Sequence, residues 1–200
     1  RYGNKLAFID RTSDKRITYS KALIASLILS DKIKKHDEGF IGIMVPTSAG
    51  CALTVLGTLM SGKTPVMINY STGAANNAIY AQKKCNFKTI ITSKALLEKI
   101  NCPIVEGMLF IEDIMEGVST SDKLKAALIS KLPAPLLLKM VHGGHEDDNL
   151  VILFTSGSEK DPKAVQLTHR NISSNIRSFS AMLNLYDNDI MLANLPYFHV

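Results

Sequence analysis

Tryptophan is absent from this 200-residue chain, aromatic residues make up 6% of it, and cysteine occurs only three times. Cys51, Cys85 and Cys102 form no CxxC pair and leave an odd thiol. Neither a disulfide framework nor a zinc site is expected, and the usage suits a reducing, cytoplasmic setting. No apolar run approaches the ~20 residues of a membrane span; Leu136-Leu137-Leu138 ends at Lys139. The chain opens on Arg1 with no basic stretch leading into an apolar core, so no signal peptide is read. Lys plus Arg is 23 and Asp plus Glu is 18, a net charge of +5. That excess is not interleaved with aromatics and sits in no nucleic-acid module, so no nucleic-acid partner is expected. Internal repeats and low-complexity tracts are also missing.

What is present is a globular composition, 46% hydrophobic and 20% charged. A chain of this size buries roughly 70% of its unfolded surface, enough for a sizeable core. The length corresponds to one full domain or two small ones. Arg1 at one end and the apolar Leu195–Val200 at the other read as cuts within a longer protein.

Strand and helix patterns alternate along the middle of the chain. Phe40–Val45, Thr64–Ile68 and Lys88–Thr92 read as buried strands. Between them, Ser48 caps a helix that Gly62 ends, and Thr72 or Gly73 opens another that lasts to about Asn86. Ser93 caps a short helix to about Ile100. Strand, helix, strand at this spacing predicts βαβ units with right-handed crossovers. The fold class expected is therefore α/β, a mainly parallel sheet flanked by helices. Ahead of these units, Lys5–Asp10 and Arg16–Thr18 suit strands around the turn Thr12-Ser13-Asp14. A helix from Ser20 to about Lys35 follows, with Ala22, Ile24, Leu27, Ile28 and Ile33 as its apolar face. Residues 101–150 are less regular. Met108–Ile111 suits a strand and Asp122–Ser130 a helix, while Pro133, Pro135, Gly143 and Gly144 mark a connector. Leu150–Phe154 is a strand, Ala164–Leu167 is extended, and Thr168 caps a helix with Ile172, Ile176, Phe179 and Leu183 on one face. Ile190–Leu195 reads as a final strand.

Directly after the Leu150–Phe154 strand stands Thr155-Ser156-Gly157-Ser158-Glu159-Lys160-Asp161-Pro162-Lys163. Glycine lets backbone N–H groups approach a phosphate, hydroxyls donate hydrogen bonds, and Lys163 adds charge. This is not a Walker A loop, because no second glycine precedes the lysine. On composition alone an ordinary exposed turn remains the competing reading.

The whole string, Leu153 to Lys163 followed by Leu167-Thr168-His169-Arg170-Asn171, resembles the phosphate-binding signature of AMP-forming acyl ligases. Other segments agree in order: Thr18-Tyr19, Val45-Pro46-Thr47-Ser48, Gly57–Val66, Ile91-Thr92-Ser93 and Leu195-Pro196-Tyr197-Phe198-His199. The resemblance covers nearly the whole chain and is weakest over residues 101–145. Met67–Gly73, Phe154–Glu159 and Phe110–Ile114 further resemble the acyl-(acyl-carrier-protein) synthetase modules of bifunctional 2-acylglycerophosphoethanolamine acyltransferases.

The resemblance implies ATP-dependent activation of a fatty acid as acyl-AMP, with Mg²⁺, and transfer to a thiol of acyl-carrier protein or coenzyme A. It implies that Thr155, Ser156, Gly157, Ser158, Glu159 and Lys163 hold the ATP phosphates, and that His199 and Phe198 line the acyl and adenylate pocket. No catalytic residue and no metal ligand is assigned within the chain. Residues 1–200 would form the first part of a large N-terminal domain, with 150–200 carrying the phosphate loop and its following helix. The C-terminal domain would lie beyond Val200, so the isolated piece is expected to be inactive. The parent is placed in the cytoplasm or at the inner face of the cell membrane, with membrane association, and the piece is expected to form an oligomer with a second copy through its truncated surface.

Two departures from the pattern stand out. Lys160 replaces the glycine usual after the acidic position, and Ala164 replaces the one after the motif lysine. They leave open a non-catalytic nucleotide-binding or scaffold fragment; a different NTPase would need the missing Walker A pair. His199 reads equally as a substrate-side group or as a partly buried histidine. His169 reads as structural, and His142 and His145 as members of a solvated loop. Glu159 ranks below the hydroxyls, since a carboxylate beside phosphates needs a cation between them. Lys123, Lys125, Lys131 and Lys139 read first as a solvated face, with an acidic carrier protein or anionic lipid headgroups as the other reading.

Overall fold

The computed structural model describes residues 2–36, 39–155 and 161–199. A small ribbon comes first: β1 (Leu6–Asp10) pairs antiparallel with β2 (Lys15–Thr18). The main sheet has six strands in the order β6-β5-β3-β4-β7-β8. These are β3 (Phe40–Met44), β4 (Thr64–Met67), β5 (Ile90–Thr92), β6 (Met108–Phe110), β7 (Asn149–Phe154) and β8 (Ala164–Thr168). β3 to β7 run parallel, and β8 returns antiparallel beside β7. The expected α/β fold, with a mainly parallel sheet, is what forms. The antiparallel edge arises because β7 and β8 are joined by a short hairpin rather than by a crossover helix, which a parallel pair requires.

The strands alternate faces with the period of two that a pleated strand imposes. Ile41, Ile43, Met67, Ile91, Val151 and Leu153 enter one apolar cluster, and Met44, Val66, Ile68, Ile90 and Ile152 the other. Both faces are therefore covered, as parallel strands require. Helices α1 (Tyr19–Ile33) and α2 (Ala49–Met60) cover the first face, and α3 (Ala74–Cys85) and α4 (Lys94–Lys99) the second. Handedness explains the split. β4 and β5 lie on opposite sides of β3. Right-handed crossovers leaving in opposite directions must place α2 and α3 on opposite faces.

The caps follow the local sequence. Ser48 Oγ accepts the Cys51 amide at 3.1 Å, Ser93 Oγ accepts that of Leu96 at 3.4 Å, and Thr168 Oγ1 accepts that of Asn171 at 3.2 Å. Gly62 ends α2 with φ +82°, where a side chain would be strained. Gly57 lets α1 and α2 approach closely, since a Cβ there would stand 2.7 Å from Leu29 Cβ. The α1 face divides in two: Ala22, Leu29 and Ile33 meet the sheet cluster, while Ile24, Leu27 and Ile28 meet a third cluster with Val118 and Ala126.

The remaining helices are α5 (Ile111–Glu116), α6 (Thr120–Ile129), α7 (Ala134–Met140) and α8 (His169–Leu183). Three local expectations change. Ile111 begins α5 instead of ending a strand. The proline-marked connector contains α7, whose prolines lie at its N-cap and first turn, where a missing N–H costs nothing. Ile190–Leu195 forms no strand, pairing with none among the described residues; Ile190 and Leu192 are 81% and 86% exposed. No helix among the described residues is long and apolar enough to cross a membrane.

Candidate active site

Because β3, β4 and β7 run parallel, the segments that follow them emerge along one edge of the sheet. Ligands of open α/β sheets bind outside the carboxyl ends of the strands where the strand order reverses. Here that reversal is at β3, and the edge is built by Thr47, the Asn69–Gly73 loop and Thr155.

The Asn69–Gly73 loop is tied down by its own side chains. Asn69 Oδ1 accepts the Ser71 amide at 2.8 Å and the Ser71 hydroxyl at 2.7 Å. Asn77 Nδ2, one turn into α3, donates to the Asn69 and Thr72 carbonyls at 2.9 and 2.8 Å. Gly73 opens α3 at φ 61°.

The hydroxyl-rich loop leaves β7 at Thr155 and re-enters at Lys163. The Thr155 amide donates to the Lys163 carbonyl at 3.0 Å. The Lys163 amide donates to Thr155 Oγ1 at 3.3 Å. This pair continues the β7–β8 ladder by one step and closes the neck of the loop. The Tyr80 hydroxyl, on α3, donates to the Pro162 carbonyl at 2.8 Å, and the Tyr80 ring meets Phe154 edge-on at 5.9 Å. Thr155 and Lys163 thus face each other where the loop leaves β7 and enters β8. Ser156, Gly157, Ser158 and Glu159 lie outside the described residues, as does Lys160. Ala164 opens β8 and pairs with Phe154.

Phe198 is 8% exposed and meets the Tyr70 ring edge-on at 4.8 Å. Thr47 Oγ1 donates to the Leu195 carbonyl at 3.0 Å, holding the same terminal segment against the end of β3. Burial holds the Tyr70 phenol above its usual range. His199 is exposed, and its amide donates to the Pro196 carbonyl at 3.0 Å. The Phe198–His199 segment and the phosphate-loop neck therefore share one edge of the sheet. His169 sits in the first turn of α8, its amide bound to the Asp148 carbonyl at 3.1 Å. The His142 amide binds the Met60 carbonyl at 3.2 Å, and His145 Nδ1 lies 3.5 Å from an Asp147 carboxylate oxygen. No group of three potential metal ligands occurs among the described residues.

Tyr80, Asn77 and Thr47 were not legible as site residues. Tyr80 meets Pro162 across 82 positions of sequence, and no local pattern reports a contact that distant. A cleft of about 240 Å³ between α1, α6 and α7 lies away from this edge and contains none of these residues.

The AMP-binding enzyme family matches residues 1–200, the whole chain. The chain belongs to that family. It is similar to the long-chain-fatty-acid–CoA ligase FadD13 of Mycobacterium tuberculosis, 26% identical over 206 residues, covering 97% of this chain and 38% of the relative. It is 24% identical over 209 residues to 4-coumarate–CoA ligase 1 of Petroselinum crispum, covering 99% of this chain and 37% of that enzyme. In fold it is similar to o-succinylbenzoate CoA synthetase of Bacillus subtilis in complex with its acyl-adenylate intermediate, at a TM-score of 0.77 and 16% identity. That superposition covers 99% of this chain and 48% of the synthetase. The same synthetase is also known with ATP and a magnesium ion. The chain spans less than half the length of each of these relatives.

Proposed function

We propose that this AMP-binding chain supplies the phosphate-binding part of an enzyme that activates a fatty acid with ATP and passes the acyl group to a thiol. The observation that carries this is the Thr155–Lys163 neck. A hydroxyl-rich loop is closed on a lysine at the carboxyl edge of a parallel sheet, two strands from β3, where the strand order reverses.

In the first step a carboxylate oxygen bonds to the α-phosphorus while the bond to the bridging oxygen breaks, and pyrophosphate leaves. Catalysis of such a step rests on positioning and on cationic stabilisation of phosphate oxygens. Thr155, Ser156, Gly157, Ser158, Glu159 and Lys163 hold the β- and γ-phosphates, the Glu159 carboxylate only with a cation between. Bound with the nucleotide, magnesium would supply charge to the phosphate oxygens, which as hard ligands suit it. Phe198, seated on Tyr70, and His199 form the acyl side. In the second step a thiolate attacks the acyl carbonyl and AMP departs.

The acceptor is the phosphopantetheine thiol of acyl-carrier protein or of coenzyme A, with phospholipid reacylation as the use of the acyl group. Residues 1–200 form the first part of the large domain in this reading, and the adenine site and small domain belong to the rest of the enzyme. The test is release of pyrophosphate by the full-length protein given ATP and a fatty acid, followed by acyl transfer to each thiol. Formation of ADP, or no nucleotide turnover with any carboxylic acid, overturns the proposal. Transfer to coenzyme A alone overturns its carrier-protein part.

A further inference from the structure

From Lys123 to His145 the chain carries four lysines and no aspartate or glutamate. The segment folds as α6 and α7, joined through Lys131–Pro133. Its inward side is spoken for. Ala126 packs on Ile28 and Val118, Asp122 pairs with Lys32 of α1 at 2.8 Å, and Lys125 pairs with Asp31 at 2.7 Å. Its outward side is aliphatic. Leu124, Leu128, Leu136 and Leu138 are 62%, 61%, 49% and 65% exposed, while Met140 borders the cleft towards α1. Leu124 and Leu128 stand one helical turn apart on α6. Lys123, Lys131 and Lys139 are exposed beside them and form no ion pair among the described residues.

We infer that the α6–α7 hairpin is a docking surface for an anionic membrane. Contiguous exposed apolar side chains mark interaction sites. Flexible aliphatic side chains ringed by lysines, without aromatics or carboxylates, match the boundary between acyl chains and acidic headgroups. Lysine stems can lie along the apolar layer while the ammonium groups stay at the headgroups. Position supports the same reading. His142, two residues beyond α7, donates its amide to the carbonyl of Met60, the last residue of α2, which leads into β4. That is the edge of the sheet opposite the Thr155–Lys163 neck, so a protein lying on a bilayer through this hairpin keeps its nucleotide edge open to solution. The inference is independent of which acid or thiol the enzyme uses.

The test is sedimentation of the full-length protein with phosphatidylglycerol–phosphatidylcholine vesicles against phosphatidylcholine alone, at low and high salt. The expected result is binding to the anionic vesicles only, weakened by salt. Replacing Lys123, Lys131 and Lys139 together by Gln should weaken binding on the order of a hundredfold, since each lysine near an anionic surface contributes about fivefold. Leu128→Gln with Leu136→Gln should abolish it at unchanged helix content by circular dichroism. Wild-type protein remaining in the supernatant overturns the inference, because the face is then covered by the rest of the protein or by a protein partner. Equal binding to neutral vesicles, or undiminished binding by the lysine variant, overturns it as well.

Discussion

Thr155 and Lys163 are bound to each other through their backbones and one side chain. The Thr155 amide donates to the Lys163 carbonyl at 3.0 Å, and the Lys163 amide donates to Thr155 Oγ1 at 3.3 Å. The threonine hydroxyl therefore already accepts a backbone N–H, and it keeps its own O–H and one further lone pair for another partner. This divides the labour at the neck: Thr155 sets the loop's width, and the Lys163 ammonium is its contribution of charge.

Lys163→Ala in the full-length enzyme should impair adenylation more than thioester transfer, because pyrophosphate has left before the thiol attacks. A charge-assisted hydrogen bond is worth roughly 1.5–3 kcal/mol, on the order of tenfold to a hundredfold in rate. Lys163→Arg should recover part of the loss, since a planar fork does not reproduce a compact ammonium. ATP–pyrophosphate exchange compared with transfer from supplied acyl-AMP measures both halves. Wild-type exchange with reduced transfer would move Lys163 to the acceptor side.

Tyr80→Phe removes one hydroxyl donor to the Pro162 carbonyl and leaves the ring against Phe154. The expected cost is about 1 kcal/mol of local order in the loop. It should appear as a several-fold higher KM for ATP with little change in melting temperature. A lowered melting temperature with unchanged KM would make Tyr80 a packing residue only.

Gly42→Ala should destabilise the central strand. An added Cβ would stand 2.8 Å from Phe87 Cε2, 2.9 Å from Ile90 Cγ1 and 3.0 Å from Ile68 Cδ1. Overpacking of this kind costs about 1–3 kcal/mol. Urea unfolding should show a lower midpoint at unchanged slope.

The tie between α6 and α1 should loosen in acid. The hydrogen bond from Lys32, with those from Ser119, lowers the Asp122 pKa from 3.8 to about 2. A carboxylate lowered on folding stabilises above its unfolded value, and that contribution is lost as pH falls from 3.8 towards about 2. Amide exchange in α6 should quicken across this window in wild type, and Asp122→Asn should remove the transition. An identical acid response in Asp122→Asn would assign the effect to another group.

Much of the fold was legible because its determinants are local. Ser48, Ser93 and Thr168 cap the helices they precede, and Gly62 stops α2 with a positive φ, since capping needs only three or four neighbouring residues. Buried strands show as short apolar runs for the same reason. Local reasoning failed where a residue has two uses. Pro133 and Pro135 read as breakers, yet proline is tolerated in a helix's first turn, where they lie. Ile190–Leu195 has the composition of a strand but pairs with no strand among the described residues, and a strand exists only as part of a ladder. Of the candidate site, Thr155 and Lys163 were readable as chemistry on a loop after a strand.

By itself, then, the sequence determined the caps, the alternation of strand and helix, and the residue types offered to phosphate. Tertiary structure decided what those residues do together. It set the strand order around β3, turned β8 back beside β7, brought Tyr80 to Pro162 and seated Phe198 on Tyr70. The physical reason is distance along the chain. Caps and periodicities act within one or two turns, whereas Tyr80 and Pro162 stand 82 positions apart and Tyr70 and Phe198 farther still, and only the packing of the whole sheet selects such contacts.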